Sequence, residues 1–122
     1  MRLWLSALSL FLSHQVLAEE PRIQLLVQSS SLAGFRYGDG AEIWSQLQQG
    51  DALELVPEPD NPHDPGAVRV EWRGRKLGYV PRRQNAALAW GLARGTPLRA
   101  RVSHLVEHPN PARRIEFEVY IE

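Results

Sequence analysis

The sequence predicts a mainly β domain with one or two helices, its strands, about six of them, curled into a small barrel. Three observations predict it. Several short runs alternate apolar and polar residues, the period of a strand with one buried face. The runs are joined by short connections marked by Gly and Pro, which suit antiparallel hairpins. Only one stretch, late in the chain, clearly carries helical spacing. Hairpins of this length leave exposed edges, and closure into a barrel removes them.

The elements follow in order. RIQLLVQ (Arg22–Gln28) is apolar and bounded by Ser29–Ser31, so it reads as the first strand. SLAGFRYGDG then marks a strand end and a tight turn through Gly34, Gly38, Asp39 and Gly40. AEIWSQLQQG places Ile43 and Leu47 four apart, which fits one or two helical turns ended by Gly50. DALELVPE puts Leu53 and Leu55 on one face of a strand. AVRVEWR alternates cleanly, with Val68, Val70 and Trp72 toward the core and Arg69, Glu71 and Arg73 toward solvent. RGRK turns at Gly74, and KLGYV returns as a short strand before Pro81. RRQNAALAWGLARG carries Leu88 and Leu92 at helical spacing and stops at Gly95. Two strands close the chain. One sends Leu98, Ala100 and Val102 inward, the other Ile115, Phe117, Val119 and Ile121.

The chain has 122 residues, a length for one domain. Lys+Arg and Asp+Glu are both 14, so net charge points to no polyanionic partner, and any such case rests on local charge. With no cysteine, disulfides, thiol catalysis and thiolate metal sites are excluded. The N-terminus, MRLWLSALSLFLSHQVLA, has one basic residue, Arg2, then an apolar run from Leu3 to Leu12. Val16 and Ala18 occupy the small-residue positions of a cleavage site. That layout predicts a signal peptide at residues 1–18 and a secreted or periplasmic domain at 19–122. The alternatives are an uncleaved anchor, or a misassigned start codon and a cytoplasmic protein.

The segment EPDNPHDPG (Glu58–Gly66) is stiff, since each proline fixes its own backbone angle and pushes the residue before it into an extended conformation. Asn61 and Asp64 can pin such a turn by bonding nearby backbone amides, a sufficient structural explanation of the segment. The functional alternative is that Asn61, His63 and Asp64 are presented to a ligand. Between Arg69 and Arg83 stand six basic residues and one acid, Glu71, and the stretch from Asp51 to Asp64 has five acids and no Lys or Arg. A basic patch beside an acidic loop suits a ligand with a phosphate and a hydroxyl end. Single-strand binding also needs aromatic platforms, for which Tyr37, Trp72 and Tyr79 are candidates. Trp72 continues the Val68–Val70 face and reads as core; Tyr79 fits either role. Arg82 and Arg83 are expected to open the late helix, where two cations oppose the helix dipole and a bound anion would relieve them.

Taken in order, AGFRYGDG, GDALELVPEPDNPHDPGAVRV, KLGYVPR and LAWGLARG resemble the HIRAN domain, whose core is an EPxNPxDxxAV loop followed by GY(V/L)P. The resemblance spans Ile23 to Ile121. HIRAN domains occur alone in bacteria and fused to DNA-remodelling helicases in eukaryotes. The resemblance implies a modified OB-like barrel that holds the 3′ end of single-stranded DNA without catalysis or cofactor. It implies that Arg36 and Tyr37 line the pocket together with Asn61 and Asp64, and that Asp64 accepts a hydrogen bond from the terminal 3′-hydroxyl. Tyr79 and Arg82 fall at nucleotide and phosphate contacts. His63 stands where DNA-binding members carry a tyrosine that can stack on a base. The export signal motivates a different expectation: an envelope interaction domain with a glycan or protein ligand.

Other chemistries find no support. His104 and His108 are four apart but follow a strand pattern, with only Glu107 nearby, so no metal is expected. No phosphate-cradling G-x-x-x-x-G-K-[ST] loop occurs. Ser29–Ser31 have no histidine at a triad's motif spacing.

Overall fold

A computed structural model describes residues 23–122; the expected signal peptide and Arg22 lie outside the described residues. The strands are β1 (Leu25–Ser31), β2 (Ala52–Pro57), β3 (Val68–Trp72), β4 (Arg75–Tyr79), β5 (Leu98–Leu105) and β6 (Ile115–Ile121). The helices are α1 (Gly40–Ile43) and α2 (Ala86–Ala93), with single 3₁₀ turns at Phe35–Tyr37, Trp44–Gln46, Arg82–Gln84 and Pro111–Arg113. No helix among the described residues is long and apolar enough to cross a membrane.

All strand pairs are antiparallel, in the order β1-β6-β5-β2-β3-β4. The two ends of that order meet where the chain leaves β1. Ala33 N–H donates to the Tyr79 carbonyl at 2.9 Å, and Tyr79 N–H donates back to Ala33 at 2.8 Å. Register shifts in the β1–β6, β3–β4 and β5–β6 pairs bend the strands, as curling requires. Closure also needs a residue without a side chain: a Cβ on Gly78 would run into the Ala33 carbonyl oxygen. The β3–β4 turn has positive φ at both central residues, 47° at Arg73 and 78° at Gly74, the handedness that matches strand twist.

The alternating residues fill the barrel. Val68, Val70 and Trp72 are buried from β3, Val102 from β5, and Ile115, Phe117 and Val119 from β6. Each such side chain is worth about 1.5–3 kcal/mol of transfer free energy on full burial. The Trp72 indole N–H is satisfied by Asp51 Oδ2 at 3.1 Å. Leu88 of α2 is buried, and the helix packs on β2 and β5.

Three expectations change. The first strand includes Ser29–Ser31, which pair with Glu118, Phe117 and Glu116, while Leu25, Leu26 and Val27 are exposed. Serines end a strand only when nothing pairs with them; here β6 does. Arg69 and Glu71 point off the core face but are half-buried, because Arg69 bonds Glu71 Oε1 at 2.9 Å and Glu58 Oε2 at 2.5 Å. Arg82 and Arg83 form their own 3₁₀ turn, and α2 starts four residues after Arg82, so the expected conflict with its dipole does not arise.

Candidate functional site

β2 and β3 are joined by the proline-rich segment, closed at its base where Glu58 N–H donates to the Ala67 carbonyl at 2.9 Å. Inside this loop two backbone turns, Asn61 N–H to the Glu58 carbonyl and Ala67 N–H to the Asp64 carbonyl, both at 3.0 Å, are reinforced by side chains. Asn61 Oδ1 accepts from the amides of His63 (2.9 Å) and Asp64 (3.1 Å). Asp64 Oδ1 accepts from the Gly66 amide at 2.9 Å. These are the local bonds by which Asn and Asp stabilise turns, and the prolines lower the entropy lost in forming them.

Longer contacts fasten the loop to the barrel. Glu58 Oε1 accepts from Asn61 Nδ2 and from the Tyr79 hydroxyl, both at 3.0 Å, while Glu58 Oε2 takes Arg69. Burial alone would raise the Glu58 carboxyl, but the hydrogen bonds from Asn61, Arg69 and Tyr79, with the charge of Arg69, outweigh it and hold it below the usual range. On the other side of the loop base, Asn85 Nδ2 donates to Asp64 Oδ2 at 2.7 Å. That bond, followed by the Gly66 amide, outweighs desolvation and lowers the Asp64 carboxyl, with a contribution from the Arg82 charge.

The result is a cavity of about 310 Å³. Asn61, His63 and Asp64 line it from the loop, Tyr79 from the end of β4, and Arg82 and Asn85 from the approach to α2. Ala33, Ala67 and Val80 complete its wall. Five of the seven residues singled out in the sequence therefore share one concave surface. The exposed Arg82 guanidinium stands with Nε 4.0 Å from Asp64 Oδ2, so a cation and a charged acceptor lie side by side.

The other two lie apart from that wall. Arg36 and Tyr37 occupy the 3₁₀ turn beyond Ala33, both exposed, with the Arg36 guanidinium 5.9 Å from the Tyr37 ring centre. Nor do the basic residues of Arg69–Arg83 form one patch. Arg69 is taken by Glu58 and Glu71, and Arg75 by Asp39 and Glu42. Arg73 covers the Trp72 ring, Lys76 covers the Tyr79 ring, and Arg83 lines a separate cavity with Ser29–Ser31. Burial removes Trp72 as a stacking platform, whereas Tyr79 lines the cavity.

Two residues of this region, Glu58 and Asn85, escape a reading by sequence. Glu58 is one acid among many, and an asparagine before a helix reads as a cap. A larger cavity, about 410 Å³, lies between Phe35, Trp44 and Arg114 and contains none of those seven residues. Size favours that cavity, and it too carries charged groups, Glu107, His108 and Arg114; the smaller one sets the Asp64 carboxylate 4.0 Å from the exposed Arg82 guanidinium, and that pairing selects it.

Barrel and cavity together define a class: a small β-barrel binding module that presents a charged recess beside its seam. The chain belongs to the HIRAN domain family, which matches over residues 25–122. Family membership implies nucleic-acid binding. Among solved structures, the chain is similar to a protein from Lactobacillus plantarum, with 26% identity and a TM-score of 0.70, covering 81% of this chain and 95% of that one. It shares its fold with the HIRAN domain of human HLTF, at 20% identity and a TM-score of 0.62, covering 80% of this chain and 78% of that one. No curated protein matches the chain.

Proposed function

We propose that the domain is a non-enzymatic module that holds the 3′ end of single-stranded DNA in the cavity between the proline-rich loop and Arg82. One observation carries the reading: Asp64 and Arg82 adjoin in the same recess. A terminal nucleotide offers a hydroxyl, which a carboxylate accepts, and a phosphate, which a guanidinium grips. Each Asp64 oxygen has one donor from the protein and can accept another. Tyr79 and His63 supply the ring surfaces against which a base can rest. In this reading Arg36 and Tyr37, exposed on the turn beyond Ala33, meet the strand outside the recess.

The test is a fluorescence anisotropy titration with a short labelled strand whose 3′ end is either free or phosphorylated. The free end should bind at least about tenfold tighter, the size of a lost charged hydrogen bond. Affinity should fall with added salt, as phosphate neutralisation requires. Equal affinity for both ends, or no binding at low salt, removes the reading.

The apolar run Leu3–Leu12 favours a second reading, an exported domain with a glycan or protein ligand in the envelope. Cell fractionation of a C-terminally tagged chain, with the mass of its N-terminus, separates the two. A cytoplasmic, uncleaved protein ends the second reading.

A further inference from the structure

Asn85 is 4% exposed, one of two buried polar residues among those described. It sits at the N-cap of α2, where asparagine ordinarily turns its side-chain oxygen onto the free amides of the first turn. Here it makes no such bond. Its backbone carbonyl still accepts from Ala89 N–H at 2.8 Å, so the helix begins as usual. Its side chain instead reaches Asp64, 21 residues earlier in the chain. Forgoing a cap costs about 1 kcal/mol, so helix stability alone would not select this arrangement. The fit around it is close: a Cβ on Gly66 would stand 3.3 Å from both Asn85 Oδ1 and Asp64 Oδ1.

We propose that Asn85 is the positioning residue of this cavity, fixing the rotation of the Asp64 carboxylate and thereby its discrimination between a free and a blocked ligand end. The inference rests on the reading of Asp64 as the hydroxyl acceptor. Two donors set that carboxylate, the Gly66 amide on Oδ1 and Asn85 on Oδ2. The Gly66 amide belongs to the same loop and moves with it. Asn85 is anchored outside the loop, so it alone references the carboxylate to the barrel. The other charged or titratable groups around the cavity are Arg82, His63 and Tyr79, the last with its hydroxyl on Glu58. None of them donates a hydrogen bond to Asp64, and Arg82 approaches only to 4.0 Å. The lowered Asp64 carboxyl, whose first cause is Asn85, agrees with this placement.

The test compares the full chain with Asn85→Ala and Asn85→Ser. Serine is a good helix cap but is too short to replace the amide at Asp64, so it separates a structural role from a positioning one. Carbon-detected NMR follows the Asp64 carboxyl from neutral to acid pH without any ligand. In both variants the carboxyl should titrate at higher pH than in the wild type. An unchanged titration overturns the proposal, whatever the ligand. The anisotropy titration is then repeated with free and 3′-phosphorylated strands. Preference for the free end should fall at least about fivefold in both variants, with affinity for the blocked strand nearly kept. A shifted carboxyl with full preference retained, or rescue of the preference by serine, overturns the link to discrimination. A wild type with no end preference removes the functional reading and that link with it, and the carboxyl titration by itself decides whether Asn85 orders Asp64.

Discussion

The β5–β6 hairpin and the loop from Glu58 to Ala67 are both ordered, but by different means. In the hairpin, a backbone ladder sets the register and apolar side chains fill one face, with Phe117 and Val119 fully buried. In the loop, no ladder runs beyond the Glu58–Ala67 closure; two single backbone turns and the side chains of Asn61 and Asp64 hold the chain instead. The first scheme removes polar groups from view; the second gathers them and leaves some acceptor capacity unused. A barrel can thus be rigid where it is dry and equally well defined where it is polar, and only the polar part keeps chemistry to offer.

That contrast can be broken at either end. The largest effect is expected from Phe117→Ala, which should cost about 3–5 kcal/mol in a urea denaturation series, as an aromatic truncation in a closed core does. Gly78→Ala comes next. The added methyl must displace the Ala33 carbonyl, and overpacking of this kind costs about 1–3 kcal/mol, read as a lower denaturation midpoint. Asp64→Asn sharpens the comparison from the loop side. It should leave the denaturation midpoint close to that of the wild type yet weaken binding of a free 3′ end roughly tenfold. A large stability loss with no change in binding would make the loop a second structural core.

The smallest effect lies in pH. The folded Glu58 and Asp64 carboxyls lie below their ordinary values, so the unfolded chain takes up protons first as pH falls. Their contribution to stability is complete above the unfolded carboxylate range, around pH ~4, and is lost as pH drops through the lower folded values. Denaturation midpoints should hold from neutral pH down to that range and then decline. Glu58→Gln should flatten the decline; an unaltered slope would place the acid sensitivity in other carboxylates.

The two regions also differ in how much of them the sequence reveals. Val68, Val70 and Trp72, or Ile115, Phe117 and Val119, announce a buried face by period alone, because a strand's neighbours on one face are two residues apart. Leu25–Val27 show the limit of composition: apolar content marks a strand, and Leu25 and Leu26 do pair with β6, but it does not say which residues are buried. In the loop, the local half is legible. Prolines and the short side chains of Asn61 and Asp64 act within three residues of themselves. The distant half is not, since Glu58–Tyr79 and Asp64–Asn85 each join residues 21 apart, with no periodic signal between them. The dispersal of the basic residues has the same origin, because partners such as Asp39 and Glu42 lie more than 30 positions from Arg75.

The bridge between Ala33 and Tyr79 has one more consequence. Its two hydrogen bonds are the seam of the barrel, and both Ala33 and Tyr79 also form the wall of the recess. Any molecule lodged there rests on both sides of the join at once, like a rivet through two overlapping plates. Occupancy and enclosure are thermodynamically linked: what the recess holds also resists the opening of the barrel.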